Sequence, residues 1–148
     1  MKFYIDTSVW GGYWDKEFKE DTRDFFNYME KDNIVAIYSN ITVDELEGAP
    51  QRVKRLIKEL EGIKKTYIEV NDEERNLASF YIKEGSLSKK CEDDALHIAL
   101  ASICKADALV SWNFKHMVNF IRIQQYNSIN LKLGYRMIDI RSPKEMLL

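Results

Sequence analysis

The sequence contains little cysteine, little proline and no long apolar run. Its two cysteines, Cys91 and Cys104, exclude the disulfide framework of a small secreted protein, so we expect a cytoplasmic protein. With two prolines and six glycines there is no Gly/Ser-rich linker or repeat, which predicts a single domain over residues 1–148. No stretch approaches the roughly 20 apolar residues of a membrane span. Asp6 and two glycines interrupt the first 14 residues, so we expect no signal peptide.

Several catalytic and cofactor motifs are also absent. There is no Cys-x-x-Cys pair and no His-Glu-x-x-His, so these motifs do not support a zinc site. No Gly-x-x-x-x-Gly-Lys loop or Gly-x-Gly-x-x-Gly turn is present to hold the phosphates of a nucleotide. No Gly-x-Ser-x-Gly elbow marks a serine hydrolase, although a Ser/His/Asp triad stays open as an alternative.

Charge is nearly balanced over the whole chain but is segregated along it. The formal net charge is −2. Residues 1–50 carry 5 basic and 11 acidic side chains, and residues 66–110 carry 5 and 9. Residues 51–65 carry 6 basic and 2 acidic side chains, as do residues 111–148. This excludes a generally basic nucleic-acid coat and is compatible with an acidic metal centre beside a basic track, although charged helix faces are commonly just solvated.

Alternating strand and helix patterns predict an α/β fold with a parallel sheet. The predicted strands cover residues 2–5, 34–38, 66–70, 108–111 and 137–140. The predicted helices cover about 17–31, 40–47, 51–61, 72–83 and 92–105, with a further helix starting at Phe114. Gly11 and Gly12 predict a bend and a mobile loop.

Polar side chains stand at the predicted carboxyl ends of the strands, where α/β sheets bind ligands. Asp6 directly follows the first strand, and Asn113 follows the fourth. Glu45 lies on the helix after the second strand, and Asp94 opens the apolar helix of residues 92–105. Their oxygens suit a hard cation such as Mg²⁺ or Mn²⁺, which can activate water and neutralise charge on a phosphate. The pattern therefore indicates phosphodiester hydrolysis.

Each of these residues also has a purely structural alternative. Asp6 would then be a turn or cap residue, and Glu45 a solvated surface acid. Asp94 would be a first-turn acid stabilised by the helix dipole, and Asn113 an N-cap. His97, three residues after Asp94, is either a hydrogen-bonded core residue or a ligand. Against the alternative for Asp94, such an apolar helix brings its first turn towards the interior, where a carboxylate needs a partner or a metal.

Four sequence blocks together resemble the PIN-domain family, and more narrowly the toxin ribonucleases of VapBC-type toxin–antitoxin modules. The blocks are Tyr4-Ile5-Asp6-Thr7-Ser8, Thr42-Val43-Asp44-Glu45-Leu46, Asp93-Asp94-Ala95-Leu96-His97-Ile98-Ala99-Leu100-Ala101 and Leu109-Val110-Ser111-Trp112-Asn113-Phe114-Lys115-His116. They occur in family order, and the resemblance covers the chain to about residue 140. The third block is the most specific.

The resemblance implies a three-layer α/β/α sandwich with a central, mainly parallel sheet and a negatively charged pocket. Family members of this type are Mg²⁺- or Mn²⁺-dependent ribonucleases that cut single-stranded RNA. They commonly form homodimers and are inhibited by an antitoxin segment that occupies the active-site groove. The resemblance thus implies an RNA substrate, an antitoxin partner and a homodimer for this chain. The aromatic residues near the glycine pair, Trp10, Tyr13 and Trp14, either pack on the sheet edge or are exposed for contact with a dimer partner, an antitoxin or RNA.

The family's functional residues carry over by motif. Asp6, Glu45 and Asp94 match three family acids, and Asp6 and Asp94 are expected to bind the metal ion. Asn113 stands where many members have a fourth acid, which puts tight binding of two metal ions in doubt. The supporting hydroxyls implied in the same way are those of Thr7, Ser8 and Ser111.

Two basic segments are candidate paths for RNA phosphates. Their predicted contacts are Arg52, Arg55 and Lys58 on the helix of residues 51–61, and Lys115 in the basic segment of residues 111–148. A solvated helix face is the alternative for the first segment. Trp112, Phe114 and Tyr126 are either base-stacking residues or core residues. The leading rival function is a non-catalytic PIN module that binds RNA or protein, and a phosphatase acting on small substrates is a third hypothesis.

Overall fold

The computed structural model describes residues 1–85 and 87–148, and its centre is a five-stranded parallel sheet. The strands are β1 (Lys2–Ile5), β2 (Val35–Ser39), β3 (Lys65–Ile68), β4 (Ala108–Val110) and β5 (Ile140–Arg141). Their order in the sheet is β3-β2-β1-β4-β5, with every neighbouring pair parallel. The first strand of the chain is therefore the central strand, and its carboxyl end lies in the middle of one sheet edge.

Helices connect the strands and cover both faces of the sheet. They are α1 (Thr7–Gly12), α2 (Lys19–Lys31), α3 (Asn40–Leu46), α4 (Gln51–Glu59), α5 (Asp72–Lys83), α6 (Glu92–Ile103), α7 (Phe120–Lys132) and α8 (Pro143–Met146). A 3₁₀ turn, Lys89–Cys91, leads into α6. In the described part of the chain, no helix is both long and apolar enough to cross a bilayer.

Alternate residues of β1 enter two separate hydrophobic cores, because successive side chains of a strand point to opposite faces. Tyr4 belongs to the core between the sheet and α5, α6 and α7, together with Leu77 and Leu96. Phe3 and Ile5 belong to the core between the sheet and α1, α2 and α4, with partners such as Phe25, Met29 and Leu56. The result is three layers, α/β/α, which is the fold class predicted from the sequence.

The prediction of a mobile loop after β1 is wrong, because residues 7–12 form α1. The Asp6 side chain caps this helix by accepting from the Val9 N–H, and Trp10 is fully buried. Gly12 is needed for a close approach: a Cβ there would lie 2.9 Å from the indole nitrogen of Trp112. Gly12 therefore reflects close packing within a helix, and the glycine pair does not mark a bend.

Two predictions near the C terminus also differ from the structure. The fifth strand is shorter and later than expected, at Ile140–Arg141. No α-helix starts at Phe114, where the chain makes a turn, and the next helix begins at Phe120 behind the N-cap Asn119. The Asn119 side chain accepts from the Arg122 N–H at 3.1 Å, so a local cap places the start of α7.

Alanine substitutions at the two adjacent glycines of α1 should change stability in opposite directions. At Gly12 the new Cβ would also lie 2.8 Å from Thr22 Oγ1, which accepts a hydrogen bond from the Trp112 indole. Such overpacking costs about 1–3 kcal/mol, so Gly12→Ala should lower the free energy of unfolding. A Cβ at Gly11 meets nothing within 4 Å, so Gly11→Ala should gain roughly 0.5–1 kcal/mol of stability. Urea unfolding of both variants checks this, and equal changes would contradict the packing at Gly12.

Candidate functional site

The fold brings the four predicted site residues to the carboxyl edge of the sheet. Asp6 is the residue after β1, and Asn113 lies three residues after β4. Glu45 is on α3, which begins directly after β2, and Asp94 is in the first turn of α6. Three of these residues thus lie in the segments that follow parallel strands, and the fourth lies at the start of a helix, as expected for a parallel α/β sheet.

The carboxylate of Asp6 is buried, with 4% of the residue exposed, and neutral groups hold it. Ser8 Oγ donates to Oδ1 at 2.6 Å, and Ser111 Oγ donates to Oδ2 at 2.7 Å. Burial raises the pKa of Asp6 above its usual value, against the opposing effects of His97 and of these hydrogen bonds. A divalent cation bound to this carboxylate would therefore stabilise its ionised form strongly.

A chain of hydrogen-bonded polar groups extends from the core to the carboxylate of Glu45. Its Oε1 accepts from Thr7 Oγ1 at 2.7 Å and from His97 Nε2 at 2.5 Å. The other ring nitrogen of His97 pairs with the Tyr4 hydroxyl at 2.7 Å, and that hydroxyl lies 2.8 Å from Ser39 Oγ. His97 is almost completely buried, whereas the Glu45 side chain is 31% exposed. The chain therefore fixes a carboxylate at the boundary between the core and solvent.

The pKa values of Glu45 and His97 move in opposite directions from their usual values. Burial alone would raise the pKa of Glu45, but the hydrogen bond and the charge of His97 outweigh it and lower that pKa. Burial alone would lower the pKa of His97, but the hydrogen bond and the charge of Glu45 raise it, with further contributions from Asp6 and Asp94. His97 is thus a hydrogen-bonded core residue, as one alternative held, and it also belongs to the site.

Asn113 connects the carboxylates of Asp6 and Asp94. Its backbone N–H donates to Ser111 Oγ at 2.9 Å, and that hydroxyl in turn donates to Asp6. Its side-chain amide donates to Asp94 Oδ2 at 3.4 Å. Three hydrogen bonds through Ser111 and Asn113 therefore link the two acids.

The side-chain oxygen of Asn113 is already used within its own turn. It accepts from the backbone N–H groups of Lys115 at 3.1 Å and of His116 at 2.9 Å. Since those donors require an oxygen at this position, the amide NH₂ must face Asp94. The geometry therefore favours a positioning role for Asn113 and disfavours direct ligation of a metal ion.

Asp94 also contacts His116, which in turn contacts Cys91, and the sequence assigns no role to either residue. His116 Nδ1 lies 2.9 Å from Asp94 Oδ2, and Cys91 Sγ lies 3.6 Å from His116 Nε2. One ligand atom from each of the three residues lies within 4.8 Å of the others. The short motifs that mark zinc sites do not detect this cluster. The spacing of Cys91 and Asp94 on one helix face was a weak signal, and His116 joins them only through the fold.

The candidate RNA-binding residues divide into two groups. Arg52 lines a groove of about 450 Å³ that also contains Thr7, Trp14, Lys16 and Glu45. Its guanidinium lies 5.2 Å from the centroid of the Trp14 ring. Arg55 instead pairs with Glu59 at 3.8 Å on the exposed face of α4. Lys58 and Lys115 are exposed and do not line this groove.

The three aromatic residues considered for base stacking differ in their exposure to solvent. Trp112 and Tyr126 are buried, so the core alternative applies to them. Phe114 is 50% exposed and forms an edge-on contact with Trp112. Phe114 therefore keeps the exposed ring that stacking on a base requires.

Comparisons with known proteins give one type of match. No family model matches the chain, and no curated protein matches it. The structure is similar to a chain in the crystal structure of VapBC2 from Rickettsia felis bound to a DNA fragment from their promoter, with a TM-score of 0.60. That match has 15% sequence identity and covers 96% of this chain and 98% of the other. It confirms the fold class, a three-layer α/β/α sandwich of the PIN type around a parallel sheet.

Proposed function

We propose that the chain is a metal-dependent endoribonuclease that hydrolyses phosphodiester bonds of single-stranded RNA. We further propose that it is the cytoplasmic toxin of a type II toxin–antitoxin pair and forms a homodimer. The observation that supports the activity most directly is the convergence of Asp6, Glu45 and Asp94 on one sheet edge. The fold shared with a chain of a VapBC2 complex supports the toxin assignment.

The site residues fit a hard divalent cation, Mg²⁺ or Mn²⁺, which Asp6 and Asp94 would hold. Their donor atoms are carboxylate oxygens, the ligands that such cations prefer. Burial raises the pKa of Asp6, and a cation would offset the cost of keeping that carboxylate ionised. When bound, the cation lowers the pKa of its water and neutralises charge on the scissile phosphate. Because the Asn113 oxygen is used in a turn, we propose one such cation at this centre and not two.

We propose that Glu45 positions or deprotonates the attacking water. Its pKa is lowered by His97, so it is ionised near neutral pH and can accept a proton. The hydrogen bonds from Thr7 and His97 both use Oε1, which leaves Oε2 of this partly exposed side chain for the water. Thr7, Ser8 and Ser111 hold Glu45 and Asp6 in place through their hydroxyls.

The groove beside Glu45 supports RNA over a small phosphate ester as the substrate. A cation, Arg52, and an aromatic ring, Trp14, line the same groove as the proposed base. Cations contact the phosphates of a strand, and aromatic rings stack on its bases. Of the four predicted RNA-binding residues, Arg52 is therefore the one that we propose to contact an RNA phosphate.

A non-catalytic PIN module is the second candidate function, and Asn113 favours it. An amide at a position where many family members carry an acid reduces the negative charge available to metal ions. Such a module would bind RNA without cutting it, so a cleavage assay separates the two functions.

Asp6→Asn should reduce Mn²⁺-dependent cleavage of single-stranded RNA by about 1,000-fold or more, because the variant loses a charged metal ligand. The measurement is the rate of cleavage, with sequencing of the fragment ends made by wild type and variant. Asp44→Asn, at an exposed acid adjacent to Glu45, is the matched control and should cleave at the wild-type rate. Full activity of Asp6→Asn would disprove the assignment.

Mn²⁺ should raise the melting temperature of the wild type and leave that of Asp6→Asn nearly unchanged. Without Mn²⁺, the variant should melt at or above the wild-type temperature, because a neutral amide removes the cost of burying a carboxylate. Differential scanning fluorimetry with and without Mn²⁺ measures both effects. An equal Mn²⁺ shift in the two proteins would place the ion elsewhere.

Arg52→Gln should weaken RNA binding more than Arg55→Gln, although both residues lie on α4. Arg52 lines the groove beside Glu45, whereas Arg55 pairs with Glu59. Loss of one phosphate contact should reduce the slope of log affinity against log salt by about 1. Fluorescence anisotropy with a labelled single strand at several salt concentrations measures this slope, and equal slopes for the two variants would refute the proposed path.

A further inference from the structure

We propose that Cys91, Asp94 and His116 form a second metal site, which takes a zinc-type transition metal ion. Cys91 Sγ lies 3.6 Å from His116 Nε2 and 3.7 Å from Nδ1, and Nδ1 lies 2.9 Å from Asp94 Oδ2. Bond lengths of about 2.3 Å to sulfur and 2.0 Å to nitrogen put tetrahedral zinc ligands roughly 3.5 Å apart. All three ligand atoms lie within 4.8 Å of one another, so movements of about 1 Å would bring them to this spacing around one ion.

The chemistry of the three donors separates this site from the oxygen-only centre at Asp6. Thiolate and imidazole ligands favour Zn²⁺ and related ions, whereas Mg²⁺ prefers oxygen ligands. Three protein ligands leave a fourth position for water or another molecule, as in open zinc sites. Cys91, Asp94 and His116 are all only partly buried, so an ion can reach them from solvent.

The local structure holds the three ligands on two well-anchored segments. Cys91 ends the 3₁₀ turn and precedes α6, and Asp94 lies one helical turn further on the same face. The backbone of His116 is held independently of its side chain. Its N–H donates to the side chain of Asn113, and its carbonyl accepts from the Tyr126 hydroxyl. Replacing the imidazole should therefore leave the loop in place.

The two metal sites share Asp94, which gives the zinc site a consequence for activity. An ion bound to Cys91 and His116 would neutralise part of the Asp94 charge and would repel a second dication on the same carboxylate. Zinc should therefore weaken the binding of Mg²⁺ or Mn²⁺ at Asp6 and Asp94 and slow RNA cleavage. This consequence rests on the proposed function, whereas zinc binding itself does not.

Co²⁺ spectroscopy with the reduced protein tests the site directly, because a thiolate ligand produces a charge-transfer absorption in the near ultraviolet. We expect this absorption in the wild type and its loss in Cys91→Ala. Cys104→Ala is the matched control and should keep the absorption. Cys104 is the other free cysteine, and its Sγ donates to a carbonyl within α6. Zn²⁺ titration against a chromophoric chelator should show a Kd raised by about 100-fold or more in Cys91→Ala and in His116→Ala.

Cys91→His keeps a zinc ligand but removes the sulfur. It therefore distinguishes loss of a metal ligand from loss of the local fold as the cause of weaker binding in Cys91→Ala. This variant should bind Zn²⁺ more tightly than Cys91→Ala and should show no thiolate absorption with Co²⁺. The proposal is overturned if the wild type lacks the thiolate absorption, or if the absorption persists in Cys91→Ala.

A cleavage assay tests the coupling between the two sites. Each protein is compared with its own zinc-free rate in Mn²⁺, and Zn²⁺ should inhibit the wild type and Cys104→Ala at about 100-fold lower concentrations than Cys91→Ala. If the wild type binds Zn²⁺ through Cys91 but never cleaves RNA, the proposed function fails and the zinc site stands. If the wild type cleaves RNA at an unchanged rate with zinc bound, the coupling through Asp94 is overturned.

Discussion

The burial of the Asp6 carboxylate at the end of the central strand is the constraint on which the rest of the site depends. Desolvation disfavours its charged form, so the surrounding chain must supply donors. Ser8 and Ser111 supply them from α1 and from the residue after β4. The same carboxylate caps α1 through the Val9 N–H, so the beginning of that helix and the position of the acid are set together. The site is therefore part of the fold at this edge and is not an addition to its surface.

The polar chain of Ser39, Tyr4, His97 and Glu45 links the sheet, two helices and the groove. Each buried polar group in this chain has a partner, which avoids the cost of an unsatisfied group inside the α5–α6 side of the protein. The chain ends at the one member that reaches solvent, the carboxylate of Glu45. The Asp94 side of the edge has no comparable buried chain among its described contacts, and its partners Asn113 and His116 come from one partly exposed turn. This less buried side is the one where we propose a second kind of metal ion.

The strands and the acids at their ends could be predicted because both depend on local pattern. β-branched and apolar runs specify β1, β2 and β4 within one or two residues, and a parallel sheet places their carboxyl ends together. Helix α1 could not be predicted in the same way. Its two glycines predict a loop, whereas burial of Trp10 and the close approach of Gly12 to Trp112 stabilise a helix there. Contacts between residues about 100 positions apart leave no periodicity within a short window.

The amino-acid sequence was sufficient for the α/β class, for the identity of the acids at the strand ends and for the hypothesis that their oxygens hold a hard cation. These properties follow from side-chain chemistry and from the periodicity of single elements. The folded chain was needed to show that Asn113 turns its amide nitrogen towards Asp94, that His97 fixes Glu45, and that Cys91 and His116 meet at Asp94. Each of these is a distance between side chains on different elements, and only the packing of those elements around the sheet fixes such distances.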